Sequence, residues 1–304
     1  MVVNKIDNIQ FRLKEHKDFL WIKEYGIVFQ VIDETASGCI CFGLINEDKK
    51  YFLKIAGANT IEAEVTPKES IATLKEAVKL YKILQHPNLI KLVDHYPYKQ
   101  YYVAVFEWAD GECLFDHWNF ENYSKNPQLV RPYERFKKLS IKKKLDSIEV
   151  IFSFLESVAN KNYVAVDFYD GSIMYDFKND KTTICDIDFF RKKPTINNVG
   201  ENFWGTKRLK SPEEYIYGAC IDECTNVFNL GAMIFNFFGE FSQQDIQKRY
   251  IDNMFLPCSL ENWTLNKQCY DVVSKAVSLE RNNRYKTILD FKLALKMALD
   301  IEKY

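Results

Sequence analysis

Three short apolar segments follow one another from Gly26: GIVFQVID, CICFGLI and KYFLKIAG. Polar turn residues separate them, so the spacing predicts an antiparallel meander. Asn46, Glu47 and Asp48 form the expected hairpin tip between the second and third strands. From Pro67 the period changes. Ile71, Leu74, Val78, Tyr81 and Leu84 recur at helical spacing, Asn88 makes a turn, and Leu89 to Val93 starts another strand. Tyr101 to Trp108 is a further strand, followed by a turn at Ala109, Asp110 and Gly111. Asn119 to Glu134 has little apolar period and reads as a connecting loop. Ser140 to Ala159 is an amphipathic helix carrying Ile141, Leu145, Ile148, Ile151, Phe152, Leu155 and Val158 on one stripe. Ile288 to Ile301 is the last such helix. Residues 1 to 25 read as an extension of mixed charge with apolar anchors at Phe19, Leu20 and Trp21.

Between the long helix and the C-terminal third lies YVAVDFYDGSIMYDFKNDKTTICDIDFF, Tyr163 to Phe190. Val164 to Val166 is β-prone and stops at Asp167, and Thr182 to Cys185 is β-prone and stops before Asp186. Asn179 and Asp180 make a turn between strand-like pieces. Two hairpin-like segments would place Asp167 and Asp186 at neighbouring strand ends. Carboxylates gathered at the mouth of apolar strands serve a metal ion or a proton in transit. Lys54 lies inside the apolar strand YFLKIAG, where its ammonium must reach an anion or water.

Composition narrows the field. The chain has 304 residues, 47% hydrophobic, 15% aromatic and 27% charged, enough for one large or two smaller globular domains. A formal net charge of −1 gives no electrostatic case for nucleic acid as a partner, and Lys142 to Lys144 reads as a solvated helix face. Eight cysteines are scattered without the spacing of a structural zinc site; Cys220 and Cys224 would share a helix face, and most are expected to be buried. The N-terminal stretch is charged throughout, and no apolar run approaches a membrane span. These features lead us to expect a cytoplasmic protein with reduced thiols and no membrane partner.

The ordered motifs resemble the protein-kinase-like superfamily, in the manner of a divergent, bacterial-type serine/threonine kinase-like protein with features shared with aminoglycoside and choline kinase-type phosphotransferases. Ala165-Val166-Asp167 stands where that family has HRD, Ser172 on the asparagine position of HRDxxxxN, and Asp186-Ile187-Asp188 where it has DFG. HPNLIKLVDHY, from His86 to Tyr96, is similar to the family's helix-to-strand junction. GTKRLKSPEEY resembles GTxxYxAPE, with Ser211-Pro212-Glu213 on APE and Arg284 in the place of that glutamate's partner. TNVFNLGAMIFNFFG resembles the family helix that begins with aspartate, here Asn226, with Phe228, Leu230, Ile234 and Phe237 fitting a buried helix.

The resemblance implies an α+β, bilobal fold. A small antiparallel lobe with one main helix would span residues 26–110, and a larger, mostly helical lobe 111–304. It implies transfer of the γ-phosphoryl of ATP to a hydroxyl acceptor, with Mg²⁺ as cofactor. Lys54 would bind the α- and β-phosphates, held by Glu76, with Glu69 the alternative. Gly38 would belong to the loop over the phosphates, with Ile40 in the place of the following valine. Phe106 would guard the back of the adenine site, and the main chain of Glu107 and Ala109 would bond the adenine edge. Asp167 would serve the acceptor hydroxyl; Asp186 and Ser172 would ligate Mg²⁺, with Asp170 or Asp188 assisting. Tyr169 stands in place of the lysine typical of serine/threonine kinases, and the glycine loop is depleted. With Val166 in place of an arginine, control by phosphorylation of the following segment is not expected. Three readings are compatible with these departures: a divergent protein kinase, a small-molecule kinase, and a catalytically impaired pseudokinase acting as a binding module. The acceptor's identity and the oligomeric state are not encoded in any motif.

Overall fold

A computed structural model of the chain describes residues 1–300 and shows a mixed α+β protein with several small antiparallel sheets. Ile301, the last residue of the expected terminal helix, lies outside the described residues. The chain divides into two units, one of residues 1–111 and 116–129, the other of residues 112–115 and 130 onward.

The first unit begins with a hairpin, β1 (Val2–Ile6) and β2 (Ile9–Leu13), followed by a 3-10 helix at Leu20–Tyr25. Next come β3 (Ile27–Ile32), β4 (Cys39–Asn46), β5 (Lys49–Ala56), α1 (Pro67–Ile83), β6 (Leu92–Tyr98) and β7 (Tyr101–Glu107). The five strands form one antiparallel sheet in the order β3-β4-β5-β7-β6. The meander and its tip are where the alternation places them, and Glu47 adopts the left-handed backbone that the tight turn needs. The strand after the Asn88 turn starts at Leu92, three residues later than expected.

Alternation sorts this sheet into two faces. Ile40, Phe42 and Leu44 of β4, Leu53 and Ile55 of β5, and Tyr101, Val103 and Val105 of β7 share one buried cluster with Ile6, Phe11, Leu13, Phe19, Trp21 and Ile22. Residues 1–25 are thus a covering layer of this unit. Phe11 and Phe19 both meet the Phe42 ring, at 5.6 and 5.4 Å. The opposite face carries Cys41, Lys54 and Ala104 in one cross-strand row and Gly43, Phe52 and Phe106 in the next. α1 packs here, with Tyr81 edge-on to Phe106 at 4.8 Å. Thr66 caps α1 and forms a reciprocal capping box with Glu69. Residues 119–134, expected as a loop, contain α2 (Phe120–Lys125) and the start of α3 (Pro132–Lys137). Each has six residues, too short for a helical period to register.

The second unit adds β8 (Glu112–Cys113), α4 (Ile141–Asn160), β9 (Tyr163–Val164), β10 (Ile173–Asp176), β11 (Lys181–Ile184), β12 (Arg191–Lys192), β13 (Thr195–Ile196), β14 (Cys220–Ile221), α5 (Glu223–Phe238), α6 (Gln243–Asp252), α7 (Lys267–Ala276) and α8 (Ile288–Asp300). α5 is buried on every side from Cys224 onward, as its uninterrupted apolar run demands. Cys220 lies in β14 and Cys224 in α5, so they do not share a helix face. None of the eight cysteines forms a disulfide among the described residues, and six are buried.

The expected Glu213–Arg284 pair is present. Arg284 donates to both carboxylate oxygens, at 2.7 and 3.0 Å, and both residues are buried. Arg281 and Thr225 donate to the same carboxylate, at 3.0 and 2.9 Å. Burial alone would raise Glu213, but Arg284 outweighs it and holds the carboxyl below its ordinary value. Arg284→Ala is expected to destabilise the protein by about 3 kcal/mol, the low end for a broken buried pair because Arg281 remains. Replacing both partners, Arg284→Met with Glu213→Leu, is expected to cost less than Arg284→Ala alone. Denaturant unfolding of the two variants checks this ordering.

Candidate functional site

The loop carrying Asp167 is fixed from below. Ala165 and Val166 are buried, which explains why small and apolar residues stand there. Asn226, at the first turns of α5, clamps Ala165 from both sides: its carbonyl accepts the Ala165 N–H at 2.8 Å and its amide donates to the Ala165 carbonyl at 2.6 Å. An aspartate could only accept; the amide serves both main-chain groups. Val166 packs with Val164, Phe203 and Ile221, with Phe189 and Trp204 at the margin. Phe168 is buried against Phe154 and Phe190. Between these anchors Asp167 sits half-buried with a φ of +59°, left-handed backbone that aspartate tolerates better than most residues.

Asp186 follows β11, with a φ of +51° and an exposed position. β11 pairs with β10, whereas β9 pairs with β12, so the two aspartates end strands of separate small sheets. A main-chain bond joins their loops: the Cys185 N–H donates to the Ser172 carbonyl at 2.9 Å, and the Ser172 N–H to Tyr169 at 2.8 Å. Ser172 is fully buried, and its hydroxyl has no hydrogen-bond partner among the described residues. Tyr169 folds back over Gly171, where a Cβ would lie 2.8 Å from the tyrosine hydroxyl; only glycine leaves that room. Burial, then the charges of Asp167 and Asp186, push the Tyr169 hydroxyl above its ordinary value, so it stays a neutral phenol.

Two cations from the segment after Trp204 enter this region, and neither was singled out by sequence reasoning. Arg208 grips Asp170 with both guanidinium nitrogens, at 2.6 and 3.1 Å, and lies 4.0 Å over the Phe115 ring. Asp170 is wholly buried and both its oxygens are engaged, so it is not available to assist a metal ion. Lys210 is buried, with its ammonium donating to the carbonyls of Phe203 and Glu201. Burial lowers its proton affinity, opposed by the charges of Glu214 and Asp167. The only advance signal was a Lys-Arg-x-Lys run directly before Ser-Pro-Glu-Glu.

In the first unit several expected site residues stand elsewhere than the resemblance implies. Lys54 is half-buried on the sheet face that packs α1, flanked across the strands by Cys41 and Ala104. Ile40 is on the other face, opposite Ile55 and inside the cluster under the N-terminal hairpin; strand alternation removes it from the Lys54 side. Glu76 is two-thirds exposed and paired with Lys79 at 2.6 Å, because the buried stripe of α1 runs through Ser70, Leu74, Ala77, Val78 and Tyr81. Glu69, the alternative, is committed to the Thr66 cap. Gly38 has a φ of +69° and lies against Ser70 of α1. Its turn is pinned: Asp33 accepts the Arg12 N–H at 2.6 Å, Glu34 pairs with the Arg12 guanidinium, and the Gly38 N–H donates to Thr35. Phe106 is buried between Phe52 and Tyr81. The Glu107 N–H is taken by the Lys91 carbonyl at 2.9 Å, and Ala109 is half-buried beyond the end of β7.

A magnesium ion takes oxygen ligands and typically one or two carboxylates, the rest coming from phosphate and water. Exposed Asp186 and the unpartnered Ser172 hydroxyl, joined through Cys185, suit that chemistry. Among the described residues no three His, Cys, Asp or Glu side chains gather as a metal cage. No helix there is long and apolar enough to cross a membrane. Comparison with models of known protein families finds no match, and comparison with curated proteins finds none.

Glu214, beside the Glu213 pair, is buried and accepts from Ser211 N–H, the Ser211 hydroxyl and Asn229, at 2.7, 2.9 and 2.8 Å. Burial nevertheless raises it to about 6 from 4.5. Between those values the folded chain keeps a proton that the unfolded chain has released, so this group's contribution to stability falls as pH rises through that window and is flat above it. Glu214→Gln retains an oxygen for the three bonds but does not titrate. Its stability relative to the parent is expected to improve by about 2 kcal/mol between pH 4 and pH 7, by denaturant unfolding at both. Parallel pH profiles for variant and parent would show that folding leaves the proton affinity of Glu214 unchanged.

Proposed function

We propose that this chain is a phosphotransferase of the protein-kinase-like type, moving the γ-phosphoryl of ATP to a hydroxyl acceptor, most plainly as a divergent serine/threonine protein kinase. On this reading the two units are the small and large lobes of that fold. One observation carries it: two aspartates nineteen residues apart, each at left-handed φ beyond a strand, lie on loops joined by the bond from the Cys185 N–H to the Ser172 carbonyl at 2.9 Å. The Glu213–Arg284 pair supports it, since it joins motifs that the resemblance pairs.

Each residue then has a task. Asp167 orients the acceptor hydroxyl and accepts its proton. Asp186 and the Ser172 hydroxyl hold Mg²⁺, and Lys54 binds phosphate. Bound Mg²⁺ would neutralise the charge that develops on the phosphate oxygens of ATP, the donor of the phosphoryl group. Tyr169 stays a neutral donor beside Asp167.

A second reading is favoured by the first unit: a binding module with impaired catalysis. The turn that would cover phosphates carries two carboxylates tied to Arg12, and the buried stripe of α1 presents Ala77 rather than a glutamate. Incubation of the full chain with γ-labelled ATP, Mg²⁺ and cell lysate, split into protein and small-molecule fractions, separates the two. Phosphotransfer predicts label in one fraction, protein for a protein kinase. It also predicts a loss of about 10²–10⁴-fold with Asp167→Asn and abolition with Asp186→Asn. Absence of label in both fractions, with no thermal shift on adding Mg·ATP, would leave the binding module.

A further inference from the structure

The segment from Phe189 to Ser211 is held against the Asp167 loop by the chain's own side chains. β12 pairs with β9 directly before that loop, and β13 pairs with β14. Phe203 packs on Val166, and Trp204 stacks on Phe189 at 5.4 Å beneath the Arg191 guanidinium. Asn197, fully buried, closes the bend by bonding both main-chain groups of Gly200, at 2.8 and 3.0 Å. Within this frame a polar link runs from the segment into the 3-10 turn Asp170–Ser172: the two-point bond of Arg208 to Asp170.

That link has unusual leverage. Asp170 is three residues from Asp167 and two from Ser172, with Tyr169 between. A wholly buried carboxylate demands a cation, and the fork of arginine fixes its plane as well as its charge. Phe115 closes the arrangement, stacked under Arg208 and edge-on to Tyr169 at 6.1 Å. Moving Arg208 therefore moves the turn that carries the Tyr169 hydroxyl and the Ser172 oxygen. We propose that Arg208 is a positioning residue: through Asp170 it sets the turn on which Asp167, Tyr169 and Ser172 are mounted, and so couples the following segment to the reacting groups. This rests on the phosphotransferase reading for its kinetic consequence, but not for its structural one.

The test uses the full-length chain with three variants: Arg208→Lys, which keeps a charge without the fork, Asp170→Asn, and the double Arg208→Met with Asp170→Asn, which leaves no buried charge. Stability, kcat and KM for ATP, and hydrogen exchange at the Ser172 and Cys185 amides are read for each. A positioning role predicts that the double variant regains most of the parent's stability. It also predicts kcat down about 10²-fold, KM for ATP nearly unchanged, and both amides exchanging about tenfold faster. Arg208→Lys should fall between it and the parent. Recovery of kcat together with stability in the double variant would make the pair merely structural and overturn the proposal, as would parent-like exchange at both amides in all three. If the parent itself transfers no phosphoryl group, the phosphotransferase reading fails while the exchange measurement still decides whether Arg208 holds the turn.

Discussion

A charge removed from water has to be met by an opposite charge or by hydrogen-bonding groups, and in the second unit this requirement decides where the loops lie. Asp170, Glu213, Glu214, Lys210 and Arg284 are all buried there. Each is answered differently: Asp170 and Glu213 by arginine forks, Glu214 by neutral donors at the cost of a raised pKa, Lys210 by main-chain carbonyls. The answering groups come from far along the chain, Arg208 for Asp170 and Arg284 for Glu213. Such pairs tolerate little displacement, because separating them exposes a bare charge to an apolar interior. Loops thereby acquire fixed positions. Asn226 extends the principle to the main chain, satisfying two buried groups of Ala165 that no strand reaches.

The first unit obeys a different rule. Its sheet has two apolar faces, so each must be covered. α1 covers the face bearing Lys54, and the N-terminal hairpin and 3-10 helix cover the other. That second cover explains why Ile40, Phe42 and Leu44 are apolar, a pattern with no need of a ligand. It also draws Arg12 to the turn at Asp33 and Glu34, so the covering layer and the turn between β3 and β4 are one assembly.

Much of this was legible in the sequence, where periodicity is long enough to register. The meander, α1, α4 and the Glu213–Arg284 pair followed from alternation, stripe and motif order. The failures have physical causes. Ile40 was placed by counting from a glycine, whereas alternation from Lys54 through its partner Cys41 puts it on the far side. Glu76 was placed by its spacing from a motif, although the stripe Leu74–Val78–Tyr81 already turns position 76 outward. The hairpin at residues 2–13 hid its alternation among charges and read as an extension. Arg208 and Lys210 could not be assigned, because what makes them distinctive is a partner's burial, and burial of a loop carboxylate leaves no local pattern.

On the proposed reading, retained and altered features fall on different units, and this bears on where positioning is done. A phosphate-binding turn works by presenting unbonded N–H groups. Here the Gly38 N–H is bonded to Thr35 and the Cys39 N–H to the Ser37 hydroxyl, and the turn's carboxylates are tied to Arg12. Such a turn adds little to anion affinity, which leaves Lys54 as the first unit's principal contribution. Alignment of the reacting groups then rests on the second unit, where the Asp167 loop is clamped by Asn226, packed through Val166 and braced through Asp170. The rate would depend on how well the loops at Asp167 and Asp186 are held, more than on how tightly the nucleotide is gripped.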